Sequence, residues 1–137
     1  MAMAMIDAGP LVAYYNAGDP WHKKVITAFE QYRGQFITTS PIVAEAMWLL
    51  KSNYHVQNEL LIDLSKGLYY VEPLQRSDFA CIANLNTKYA DLPGDFADLS
   101  LIAIAQRLNL EDVVSLDADF NIYRRYKTHK FNRILLH

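Results

Sequence analysis

Short apolar runs alternate with segments of helical period along almost the whole chain. Residues 3–6 are apolar and end at Asp7, the pattern of a short buried strand that delivers a carboxylate at its end. Gly9-Pro10 predicts a turn into a brief helix through Tyr15, and a longer helix is expected from Pro20 to Tyr32, with Asp19 as N-cap and Gly34 as its stop. Phe36 to Thr38 read as a second strand. Ser40-Pro41 then offer an N-cap and a first-turn proline to a helix with Ile42, Ala46, Leu49 and Leu50 at helical spacing. A helix over about 55–66 stops at Gly67, and Leu68 to Val71 are β-rich up to Pro73. Ser77 or Asp78 opens a helix to Tyr89, Pro93-Gly94 turns the chain, and a helix runs from Asp95 to Asn109. Val113, Val114 and Leu116 give a fourth strand, residues 118–126 a short helical segment, and Phe131 to Leu135 a candidate last strand. Strands alternating with helices predict an α/β fold with a parallel sheet, in which functional groups gather beyond the carboxyl ends of the strands. Asp7 and Asp117 hold such positions.

Each candidate carboxylate also has an ordinary structural use. Asp7 suits the N-cap of the helix that follows it, and Asp119, close behind Asp117, suits the cap of the next segment. Glu45 lies three residues after Ile42 and four before Leu49, at the edge of an apolar stripe. An ionised group there needs a partner or a metal unless it snorkels to water. Asp95 and Asp98 fit the N-cap and first turn of their helix, roles that coexist with a functional one. Asp7, Glu45, Asp98 and Asp117 are separated by 38, 53 and 19 residues. Brought together they would repel one another, and an oxygen-only acidic cluster suits Mg²⁺ or Mn²⁺.

Composition narrows the setting. A chain of 137 residues, 52% apolar and 20% charged, supports one domain with a real core and excludes intrinsic disorder. No apolar run approaches the ~20 residues of a spanning helix, and the single Cys81 and the histidines at 22, 55, 129 and 137 show no zinc spacing. The expectation is a reducing cytoplasm, without secretion or membrane insertion. Net charge is −2, but residues 1–123 carry 8 basic and 15 acidic groups, whereas Arg124, Arg125, Lys127, Lys130 and Arg133 crowd the end. That end is either a solvated tail or a patch for a polyanion held near an acidic centre.

Four stretches carry a resemblance: Met5 to Ala13 (MIDAGPLVA), Thr39 to Glu45 (TSPIVAE), Asp95 to Ala103 (DFADLSLIA) and Val114 to Phe120 (VSLDADF). In this order they are similar to the PIN-domain ribonucleases, especially the toxins of bacterial and archaeal VapBC-type toxin–antitoxin systems, and the likeness runs almost end to end. It implies a three-layer α/β/α fold over residues 1–137 with a central, mainly parallel sheet of four to five strands. It also implies metal-binding catalytic acids at Asp7, Glu45, Asp98 and Asp117, with Asp95 as an extra carboxylate, Asp119 as the alternative to Asp117, and site hydroxyls at Ser40 and Ser115. Ser115 stands where many relatives have threonine, and Ala8-Gly9 replaces a commoner small-polar pair; neither change removes a ligand.

The activity so implied is Mg²⁺- or Mn²⁺-dependent cleavage of RNA leaving 5′-phosphate and 3′-hydroxyl ends, with a homodimer and an antitoxin that covers the acidic groove as partners. Arg124, Arg125, Lys127 and Lys130, with Lys23 and Lys24, are the candidate phosphate contacts. Tyr14, Tyr15 and Trp21 are either core and dimer residues or stacking surfaces for an unpaired base. The competing readings are a catalytically silent protein-binding module, a solitary RNA-processing nuclease, and a metal-dependent phosphatase or DNA nuclease using the same acids. An aspartyl-phosphate enzyme fits poorly because Asp7-Ala8-Gly9 lacks a second acid, and no phosphate-binding glycine motif is present.

Overall fold

Ala4, Met5 and Ile6 are completely buried, as are Val113 and Val114, so these two apolar runs form the middle of a sheet rather than an edge. The computed structural model describes residues 2–92, 94–126 and 128–136. Its main sheet has five parallel strands: β1 (Met3–Ile6), β2 (Gln35–Thr38), β3 (Tyr69–Val71), β4 (Asp112–Val114) and a two-residue strand at Asn132–Arg133. Six helices flank it: α1 (Ala8–Tyr15), α2 (His22–Gln31), α3 (Ser40–Leu49), α4 (Tyr54–Ser65), α5 (Arg76–Lys88) and α6 (Phe96–Leu108). Among the described residues, no helix is long and apolar enough to cross a membrane.

The chain moves outward from β1 through β2 to β3, then returns to the opposite side of β1 for β4 and the last strand. The strand order therefore reverses between β1 and β4, and in open parallel sheets such a reversal leaves a crevice at the carboxyl ends. α6 anchors the arrangement: Leu101, Ile102, Ile104 and Ala105 are completely buried, and its C-cap Asn109 takes the left-handed conformation at φ 54°.

Several local expectations are corrected. α1 begins at Ala8, with no turn at Gly9-Pro10: Pro10 falls in the first turn, where a missing N–H costs nothing because those donors have no intrahelical acceptor. α2 begins at His22 instead of Pro20, because Asp19 Oδ1 accepts the N–H of Trp21 at 2.8 Å and holds a turn ahead of the helix. Thr39, not Ser40, is the N-cap residue of α3. Gln75 caps α5 in a reciprocal box with Asp78. The segment after Asp117 is a 3₁₀ helix of four residues (Ala118–Asn121), followed by an antiparallel hairpin pairing Arg124–Arg125 with His129–Lys130. Pro93, expected in a turn, lies outside the described residues.

Candidate active site

Asp7 is the first residue beyond β1. Its Oδ1 caps α1 by accepting the Ala8 N–H at 2.8 Å, yet capping does not exhaust the carboxylate, since Oδ2 accepts the Ser115 hydroxyl at 2.8 Å. The Ser115 oxygen in turn accepts the Asp117 N–H at 2.9 Å, and Asp117 Oδ1 accepts the Asp119 N–H at 2.8 Å. One chain of hydrogen bonds thus locks the ends of β1 and β4 across the crevice. Asp119 contributes its backbone to that chain, and the carboxylate that clusters with Asp7 is that of Asp117.

The third acid comes from the start of α6. Asp95 is the N-cap and accepts the Asp98 N–H at 2.8 Å, which sets Asp98 in the first turn, 8% exposed. One carboxylate oxygen each of Asp7, Asp98 and Asp117 lies within 4.8 Å of the others. Glu45, from α3, and Asp95 share with them a cleft of roughly 390 Å³, edged by Leu49 and Leu116.

Burial and like charge act together here. Asp98 is pushed up to about 8, first by desolvation and then by Asp7, Asp95, Asp117 and Glu45. Glu45 rises to about 7 through burial and the charges of Asp95, Asp7 and Asp117. Asp7 rises to about 6: burial outweighs the Ser115 and Ala8 hydrogen bonds that favour its charged form. Asp78 shows the contrasting solution. Burial raises it too, but Arg107, 3.0 Å away, overcomes that and holds it below the usual carboxylate value. Among the described residues no ion pair reaches the five cleft acids. Moreover, buried Glu45 Oε2 has no hydrogen-bond partner. An all-oxygen donor set with an orphaned carboxylate oxygen, and no basic residue in the cleft lining among the described residues, fits a hard divalent cation.

A model of the PIN domain matches residues 4–126. The chain belongs to the PIN-domain family. Its five-stranded parallel sheet flanked by helices is the fold expected of a PIN domain. Ribonuclease VapC26 of Mycobacterium tuberculosis is 25% identical to this PIN chain over 115 residues, which cover 82% of it and 85% of that protein. The crystal structure of M. tuberculosis VapC20, described as a sarcin–ricin loop cleaving toxin, superposes with a TM-score of 0.81 at 15% identity, over 88% of this chain and 94% of that one. A toxin–antitoxin complex from Klebsiella pneumoniae gives a TM-score of 0.66 at 20% identity, over 85% and 89%. These two structural likenesses are likenesses of fold.

Other expected site residues fall elsewhere in the PIN fold. Ser40, exposed in the first turn of α3, lines a recess beside the cleft, together with Glu45 and Asp95. Arg125 is corrected: it is buried, with Nη1 donating to Asn109 Oδ1 at 2.8 Å and Nη2 lying 3.8 Å from Glu111, and so is closed to a phosphate. Arg124 spends Nη1 on the carbonyl oxygens of Asn121, Ile122 and Tyr123. Lys130 is exposed on the hairpin, and Lys127 lies outside the described residues. Tyr15 is a core residue bonded to Asp63 and Tyr69, Tyr14 stacks on Phe29, and Trp21 is exposed beside Lys24.

The supporting hydroxyls were not apparent in the sequence. Buried Thr39 and Ser100 share a 2.6 Å hydrogen bond that ties α3, carrying Glu45, to α6, carrying Asp98. Thr38 Oγ1 donates to the Ile6 carbonyl oxygen at 3.0 Å beside Asp7. A small hydroxyl within an apolar run, as in Leu99-Ser100-Leu101, was the available signal.

Proposed function

We propose that this chain is a single-domain, metal-dependent endoribonuclease of the VapC type, the toxin of a toxin–antitoxin pair. The observation that carries the reading is the Asp7–Asp98–Asp117 cluster, without an ion-pair partner among the described residues, at the strand-order reversal of a PIN fold. Asp7, Glu45, Asp98 and Asp117 are its catalytic and metal-binding acids, with Asp95 at the rim. Mg²⁺ or Mn²⁺ is the fitting ion: held there, it supplies positive charge to a phosphodiester oxygen and lowers the pKa of a water. The protein's part is positional. Ser115 and the Ala8 N–H orient Asp7, the Asp119 N–H orients Asp117, and the Asp95 cap fixes the turn that presents Asp98.

RNA as substrate and an antitoxin as partner are supported by the ribonuclease name of one relative and by the toxin–antitoxin complex among the structural neighbours. A homodimer in the cytoplasm completes the proposal. Induced expression in a bacterial host, followed by mapping of RNA 5′-phosphate ends, tests it. New ends with the wild type and none with Asp7→Asn are expected. Equal growth arrest by Asp7→Asn would place the function on the protein's surface instead.

A further inference from the structure

Beside the cleft lies a second recess of roughly 560 Å³ that shares Glu45 and Asp95 with it as lining residues. Its remaining lining is Ser40, Pro41 and Ala44 from the first turns of α3, and Phe96 and Ala97 from the start of α6. Apart from the shared acids, the Ser40 hydroxyl is its one polar side chain. Phe96 is 47% exposed, and Phe79 of α5, 53% exposed, stands beside it with ring planes 19° apart and centroids 6.2 Å apart. Elsewhere, Phe36 is buried where it stacks with Tyr32. Among the described residues, Phe79 and Phe96 form the one stacked ring pair exposed on both members.

The position of Phe96 is not incidental. It lies directly between the cap Asp95 and the first-turn Asp98, so the turn that presents the acid also presents the ring. One helical turn beyond Ala44, Trp48 is 65% exposed, with Lys51 Nζ 3.3 Å from its ring centroid. That pair adds a cation to the same side of α3.

We propose that this recess is a nucleobase subsite. An unpaired base adjacent to the phosphate in the acidic cleft stacks on Phe96, with the Ser40 hydroxyl within the recess to meet its edge. Among the described residues, the recess lining carries no cation to hold a phosphate, whereas a neutral base has the flat face that an open aromatic ring receives. With one hydroxyl for hydrogen bonding, the subsite selects an unpaired nucleotide more than a particular base. This inference rests on the nuclease reading and identifies what that site recognises.

Steady-state cleavage of an unstructured oligoribonucleotide, intact or with an abasic residue at each position flanking the cut, tests the proposal in wild type, Phe96→Ala and Phe96→Tyr. Phe96→Ala should raise KM about tenfold with kcat within about twofold, and Phe96→Tyr should restore the wild-type KM. At one flanking position the abasic substrate should show the same loss, and Phe96→Ala should add nothing to it. Thermal melting of Phe96→Ala should match the wild type, since the side chain is half exposed. An unchanged KM, or fully additive effects of the two deletions at every position, overturns the subsite while leaving the nuclease standing. Conversion of a dimer to monomers by Phe96→Ala, read by sedimentation, overturns it in favour of an interface between copies. A wild type that cuts no RNA fails the nuclease reading itself.

Discussion

The Ser115 hydroxyl donates to Asp7 Oδ2 at 2.8 Å across 108 residues of sequence, while its oxygen accepts the Asp117 N–H at 2.9 Å. A single buried side chain therefore sets two of the three clustered acids relative to each other. Ser115→Ala leaves the N–H of Asp117 and one lobe of Asp7 without this partner. Divalent-cation affinity should fall about 10- to 100-fold, and Ser115→Thr should retain it. Calorimetric titration with Mn²⁺ distinguishes this from a neutral packing change, in which both variants bind as the wild type does.

The raised carboxylates give the metal-free protein a defined pH response. Asp98 reaches about 8, Glu45 about 7 and Asp7 about 6, each easier to protonate in the folded chain than in the unfolded one. Their contribution to stability is thus fully present below about pH 4 and lost as pH rises through the folded values, between about pH 4 and pH 8. In EDTA, Asp98→Asn should melt close to the wild type at about pH 4 and several degrees higher at about pH 8, about 3 °C per kcal/mol relieved. Equal melting temperatures at about pH 8 would show that ionising Asp98 in its buried, acid-lined position costs the fold nothing.

Gly94 is required by packing and not by a turn conformation. A Cβ there would fall within contact distance of the hydroxyl of Tyr123, a completely buried ring. Gly94→Ala should force the chain away from Tyr123 immediately before the Asp95 cap. The expected result is a destabilisation of about 1–3 kcal/mol in chemical denaturation, together with weaker Mn²⁺ binding.

The two ends of the hairpin separate structural from surface charge. Arg125→Met removes the bond to Asn109 and should cost about 2 kcal/mol without changing the salt dependence of RNA binding. Lys130→Ala should leave stability within about 0.5 kcal/mol and reduce the salt slope by about 0.7, the share of one single-strand phosphate contact. A slope lost with Arg125 and kept without Lys130 would reverse these assignments.

Strand ends carrying acids were legible because period and punctuation are local. Met5-Ile6-Asp7 and Val113 to Asp117 read as buried strands with polar tips, and the fold placed them side by side. Asp95 as a cap was legible for the same reason. Burial of Arg125 was not: its partners Asn109 and Glu111 belong to the helix-to-strand connection before β4, and a run of basic residues carries no sign of which guanidinium turns inward. Nor was the Thr39–Ser100 bond, which spans 61 residues and pairs two unremarkable hydroxyls. The cap of α3 falls one residue earlier than the Ser40-Pro41 pair suggested, because Thr39 takes the extended backbone of an N-cap and leaves Ser40 in the first turn, beside the recess.

The most direct measurement is cleavage of a total RNA pool by purified protein with Mn²⁺, Mg²⁺ or EDTA, alongside Asp7→Asn and Asp98→Asn prepared identically. Cutting that needs the metal, stops in EDTA and disappears in both variants is the predicted result. Cutting that survives in EDTA or in either variant would contradict a centre built from these acids, as would an inactive wild type that binds no Mn²⁺.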